Sequence, residues 1–164
     1  VYGKEDTAFT VQYDFVMPQR FNLNYSNEKG QDEQAVVIHR SSVGTIERLV
    51  AYLIEKYAGA FPTWLAPVQA VVMPISDKHQ KYAQEVTKKL KDEDIRVELN
   101  DKNEPLNARV RDAELQKIPY ILVVGDKEVE SDTVSVRRRH SKDTRAQKLG
   151  KFISAVKADI IAKI

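Results

Sequence analysis

The sequence contains no cysteine. Disulfides and thiolate metal sites are therefore excluded within it, which suits a reducing compartment. Long apolar runs are also missing. Stretches such as 120–124 fall far short of the ~20 residues that a membrane helix needs. No membrane partner is expected, and no signal-peptide pattern opens the chain, so a cytoplasmic location is expected. Internal repeats and low-complexity tracts are absent. Excess charge of one sign is absent too: 26 Lys+Arg against 24 Asp+Glu leaves +2. Overall charge thus gives no argument for nucleic acid, although its local distribution does.

What is present is a globular balance over 164 residues, 42% hydrophobic and 30% charged. That length suits one or two small domains with real cores. Val1 does not look like a natural start, and residues 2–6 read as the middle of a longer chain. Residues 7–15 alternate like a half-buried strand, with Phe9, Val11, Tyr13 and Phe15 on one face and Gln12 and Asp14 on the other. Pro18 interrupts, 21–25 alternates again, 27–30 is a turn, and 35–39 reads as a buried strand. Residues 41–44 make a small-residue turn. Val43, Ile46, Leu49, Val50, Leu53, Ile54 and Tyr57 then recur at helical spacing. Ser41 or Ser42 is placed to cap that helix, and Gly59 to close it. Three strands and one helix bury too little to stand alone, so this part reads as an incomplete domain of an antiparallel sheet.

After the stiff link between Pro62 and Pro67, strand and helix alternate. Strands are expected at 68–75, 95–99, 120–124 and 134–138. Helices are expected from Ser76 or Asp77 to about 92, at 106–117 with Leu106, Val110, Ala113 and Leu115 inward, and at 144–164. Gly125-Asp126-Lys127 reads as a turn. This β-α-β-α-β-β-α order is an α/β fold with a mixed sheet and helices on its faces, the first two strands parallel.

Two stretches are more specific. HRSSVGTIERL (39–49) resembles the third signature motif of class II aminoacyl-tRNA synthetases. AFPTWLAPVQ (60–69) is similar to the junction into the anticodon-binding domain of threonyl-tRNA synthetases; the prolyl enzymes do not usually carry this pair. The resemblance runs over the whole chain. It implies that residues 1–65 are the end of a class II antiparallel-sheet catalytic domain and 66–164 an anticodon-binding domain. The intact protein would then be a threonine–tRNA ligase of protein biosynthesis, acting on ATP with magnesium, threonine and threonine tRNA. It would be a homodimer through upstream segments. This chain alone would bind tRNA weakly and catalyse nothing. The alternative is a stand-alone RNA-binding or regulatory relative without catalysis.

A lone histidine at a strand end is ordinarily a hydrogen-bonded structural residue. The resemblance gives His39 another role, the third protein ligand of a catalytic zinc whose cysteine and second histidine lie upstream. Three ligands leave zinc an open position, and a site built for the threonine hydroxyl rejects valine. Arg48 matches the class II arginine that lies against ATP, a task suited to a guanidinium. Gly44 lets the backbone approach that ligand. The same resemblance would put Thr45 near the substrate, and Gln12 matches a residue lining the amino-acid pocket. Basic residues gather at Arg137, Arg138, Arg139, His140, Lys142, Arg145, Lys148 and Lys151. Arg137 and Arg139 share a strand face, and Glu128 and Glu130 precede them. Such a mixture of donors and acceptors suits base edges better than phosphate alone. In the family an acidic residue and an arginine of this region read the central guanine of the anticodon; Glu128 with Arg137 is favoured over Glu130 or Arg139. Asn103, Arg111 and Lys117 match further anticodon contacts. Pro105 stands where many relatives have lysine.

Overall fold

The structure is a computed structural model describing residues 7, 9–141 and 143–163. The stretch 2–6, Lys142 and the helix end expected at Ile164 lie outside the described residues. The chain divides into two compact units, one up to Lys56 and one from Tyr57 onward.

In the first unit, β1 (Thr10–Asp14) pairs antiparallel with β4 (Val37–Ser41). Between them lie a short helix α1 (Val16–Arg20) and a hairpin of β2 (Asn24–Ser26) and β3 (Asp32–Gln34). Asp14 Oδ1 accepts the N–H groups of Val16 and Met17, both at 2.9 Å, which starts α1 where the sequence shows only an interruption at Pro18. The helix α2 (Ile46–Tyr57) is capped by Thr45, whose Oγ1 accepts the Arg48 N–H at 3.4 Å. Ser41 Oγ instead accepts the Gly44 N–H, at 3.1 Å, inside the turn. Gly44 and Gly59 both have left-handed φ, 66° and 75°, conformations that glycine adopts without steric cost.

The expected burial in this unit is not found. Phe9, Val11, Tyr13 and Phe15 are all more than half exposed, α2 has no buried residue, and the centre of β4 is exposed. The alternation is real, but the described residues of this unit supply no second layer to cover it.

The second unit has a genuine core. Its five-stranded sheet runs in the order β6-β5-β7-β8-β9. These strands are β5 (Ala70–Pro74), β6 (Val97–Leu99), β7 (Tyr120–Val124), β8 (Thr133–Arg138) and β9 (Thr144–Lys148). The pairs β5/β6 and β5/β7 are parallel; β7/β8 and β8/β9 are antiparallel. Helices α3 (Gln80–Asp92) and α6 (Leu149–Ile161) cover one face, packing Ala83, Val86, Leu90, Phe152 and Val156 on Val72, Leu122, Val134 and Val136. Side chains as fully buried as Phe152 and Val156 each contribute about 1.5–3 kcal/mol. Helix α4 (Leu106–Leu115) covers the other face, but only over β5 and β7, where Ala113 and Ile118 meet Val71, Met73 and Ile121.

Three details depart from the sequence reading. Residues Asp126–Ser131 form a short helix, α5, rather than a simple turn. The segment Thr144–Lys148 is an edge strand, and α6 starts only at Leu149. Leu115, expected inward, is 69% exposed, while Arg109 on the same helix is buried and donates to the carbonyls of Asn100 and Pro74.

Candidate nucleic-acid interface

Because α4 stops short of β8 and β9, half of one sheet face stays open. Cross-strand register sets which residues lie there. Ser135 and Arg137 on β8 share a face with Ile121 and Val123 on β7, and with Thr144 and Ala146 on β9. Thr133 and Lys148 extend this open face at one end. The run of cations is therefore split in two. Arg138 and Arg145 point to the α6 side. There Arg138 donates to the Tyr120 hydroxyl at 2.8 Å, sits 5.4 Å from that ring's centre and pairs with Asp159.

Glu128 reaches the open face from α5. Its Oε2 accepts the Gly125 N–H at 2.9 Å and its Oε1 accepts the Ser135 hydroxyl at 2.7 Å. A Cβ at Gly125 would come within 2.5 Å of Ile75, so glycine permits this close seating of α5. Ser135 and Arg137 are two apart on one strand, which puts their side chains roughly 6–7 Å apart along it. Glu128 and Arg137 thus share one surface, the carboxylate anchored on Ser135 and the arginine two residues further along the strand. Arg137 in turn pairs with Glu114 in the last turn of α4.

Beside them lies a groove of about 550 Å³ whose lining includes Glu114, Lys117, Arg137 and Arg139. Lys117 has φ 59° at the end of α4, and its Nζ donates to the Ala58 carbonyl. Arg139 donates to the carbonyls of Lys117 at 2.7 Å and Phe61 at 2.8 Å, and burial pushes its pKa below the ordinary value. Both cations hold the link segment that precedes β5.

In the first unit, Gln12 and His39 face each other across β1 and β4. His39 Nε2 meets Asp14 Oδ2 at 2.8 Å, and the imidazole is 54% exposed. The Met17 N–H and then His39 hold the Asp14 carboxyl below the usual range. Gly44, Thr45 and Arg48 follow on the turn after β4 and the start of α2, all exposed.

Residues 69–159 match the family described as "Anticodon binding domain". The chain belongs to that family. Its anticodon-binding domain therefore carries the open face, since Glu128, Ser135 and Arg137 all fall inside the matched residues. The chain is 52% identical over 158 residues to the threonine–tRNA ligase of Desulforamulus reducens, covering 96% of this chain and 25% of that protein. The same enzyme of Listeria monocytogenes serovar 1/2a is 52% identical over 159 residues, with the same coverage. The RNA binding domain of threonyl-tRNA synthetase from Cryptosporidium parvum Iowa II has a TM-score of 0.76 and 31% identity, covering 96% of this chain and 40% of that one. The chain spans about a quarter of the length of the curated relatives it matches.

The anticodon-binding domain brings together Glu128, Arg137, Arg139 and Lys117. Glu130 is exposed on α5, and Arg111 is exposed on α4. Asn103 is exposed in the loop before α4, and Pro105 occupies that helix's N-cap position. Sequence reasoning missed Ser135, Glu114 and Asp14. For Ser135 and Asp14 a signal existed, since each shares a strand face with a residue already singled out.

Proposed function

We propose that this chain is the C-terminal part of a threonine–tRNA ligase. Residues 1–65 would end its catalytic domain, and 66–164 would read the anticodon of threonine tRNA. The observation that carries this reading is the open face of β8 within an anticodon-binding domain, where Glu128 is bonded to Ser135, two residues from Arg137 on the same strand face. Threonine anticodons share guanine and uracil at their second and third positions. Guanine offers acceptors O6 and N7 on one edge and donors N1–H and N2–H on the other. An arginine serves the first edge and a carboxylate the second. Splayed anticodon bases expose both edges.

His39 fits the zinc role assigned to it. Its Nε2 is held by Asp14, the arrangement of a carboxylate behind a ligating imidazole, which leaves Nδ1 to face a metal. The resemblance puts the other two ligands, a cysteine and a histidine, upstream; among the described residues no three ligating side chains cluster. When bound, zinc supplies an open position for the amino and hydroxyl groups of threonine. Gln12, directly across the strand pair from His39, would line the same pocket. Arg48 would lie against the adenine of ATP and near its γ-phosphate, the nucleotide being carried with magnesium, with Gly44 and Thr45 shaping the approach. The catalytic assembly would be a homodimer through upstream segments, working in the cytoplasm. Among the described residues no helix is long and apolar enough to cross a membrane.

The test is RNA binding by the chain. Arg137→Ala should weaken an RNA hairpin with a threonine anticodon by ~10-fold or more relative to a hairpin changed only at the second anticodon base. Lys148→Ala, at the rim of the same face, should weaken both alike and lower the salt dependence. Equal loss on both hairpins for Arg137→Ala would reduce Arg137 to a phosphate contact.

A further inference from the structure

Arg137 does not stand alone on the open face. Its Nη2 is paired with Oε1 of Glu114, which α4 presents from its last turn. Among the described residues lining the adjoining groove, Glu114 is the one acid, and Lys117, Arg137 and Arg139 are basic. The two side chains are 29% and 47% exposed. An ion pair as wet as this contributes little to stability, so a purely structural purpose accounts poorly for it.

For RNA the pair has two consequences. It fixes the guanidinium plane, leaving its remaining N–H groups in one orientation rather than sweeping the face. It also cancels much of the attraction of Arg137 for phosphate. A neutral base edge, with acceptors at fixed positions, loses far less from a nearby carboxylate than a phosphate does. A bare arginine on an open face would bind any backbone that reached it, whatever the sequence.

We propose that Glu114 is a specificity-determining positioning residue, which by pairing with Arg137 directs its guanidinium to a base edge and denies it to phosphate. This rests on the reading in which Arg137 contacts the second anticodon base. Glu114 thereby provides the repulsive element that selective interfaces commonly need alongside the attractive one.

The experiment compares chain 1–164 with its Glu114→Gln, Glu114→Ala and Arg137→Ala variants. Each binds two RNA hairpins, one with a threonine anticodon and one altered only at the second base, over a range of salt. Thermal unfolding is recorded in parallel. Glu114→Gln keeps the shape and removes the charge. It should raise affinity for the altered hairpin, narrow the ratio between hairpins by ~3–10-fold, and steepen the salt dependence by about one phosphate contact. Glu114→Ala should do the same. If Arg137→Ala narrows the ratio and neither Glu114 variant does, the role of Glu114 is overturned while the base contact stands. If Arg137→Ala leaves the ratio unchanged, the base contact itself is overturned, and Glu114 with it. A lowered unfolding temperature with an unchanged ratio makes Glu114 a structural residue only.

Discussion

Arg139 and Arg137 are two residues apart and carry the same group, yet their partners give them different work. Arg139 uses both arms of its fork on backbone carbonyls, those of Lys117 and Phe61. Charged hydrogen bonds of this kind contribute about 1.5–3 kcal/mol, and losing them leaves two carbonyls to find water. Arg139→Ala should therefore lower the thermal midpoint and leave base preference unchanged; lost preference at an unaltered midpoint would return Arg139 to base reading. His39 carries a prediction for the intact protein. His39→Ala should release zinc, measured by metal analysis, and erase discrimination of threonine from valine. Stoichiometric zinc in that variant would show that His39 is not a ligand. Of these residues, the strand face of Arg137 was legible from the alternation along 134–138, whereas the approach of Glu128 to that face depends on the docking of α5. The partners of Arg139 were not legible, since Phe61 and Lys117 meet it only through tertiary packing.

Among elements, α5 shows most clearly what local sequence leaves open. Gly-Asp-Lys reads as a turn, and it becomes a helix because Glu128 reaches back to the Gly125 N–H and because α5 is docked from below. The docking residue is His79, buried at 5% exposure. Its Nδ1 accepts the Ser76 N–H at 3.2 Å, so Nε2 carries the proton and donates to Asp126 Oδ1 at 2.9 Å. That hydrogen bond holds the Asp126 carboxyl below its ordinary value of 3.8. A depressed carboxyl stabilises the fold above its unfolded pKa and loses that effect as pH falls through the folded one. The stability difference between the wild type and Asp126→Asn should therefore be present at pH 6 and vanish towards pH 2. A difference that stays constant across that range would show that the pair does not hold α5. The strand β9 was hidden for a related reason: its residues gain strand geometry from pairing with β8, whereas 149–161 keeps its helix by its own apolar spacing. Strand β7 and the bodies of helices α3 and α6 were legible, because burial on a single core imposes a regular period.

At the scale of the molecule, the two units differ in how they meet water. The second closes a core; the first leaves Phe9, Tyr13, Phe15 and Ile46 largely exposed among its described residues. Alternation revealed which faces were apolar but not what lies against them, and the described residues of this unit hold no layer that covers them. On the proposed reading the chain carries one of three class II motifs, so chain 1–164 should show no threonine-dependent ATP–pyrophosphate exchange. Exchange by the purified chain would overturn its assignment as part of a larger catalytic unit. The most direct test of the whole account is aminoacylation by the intact protein, using tRNAs that differ only at the second anticodon base. Threonine should be attached to tRNA with guanine at that position, with charging falling sharply when the base is changed or when Arg137 is replaced by alanine. Charging with a different amino acid, or threonine charging indifferent to that base, would contradict it.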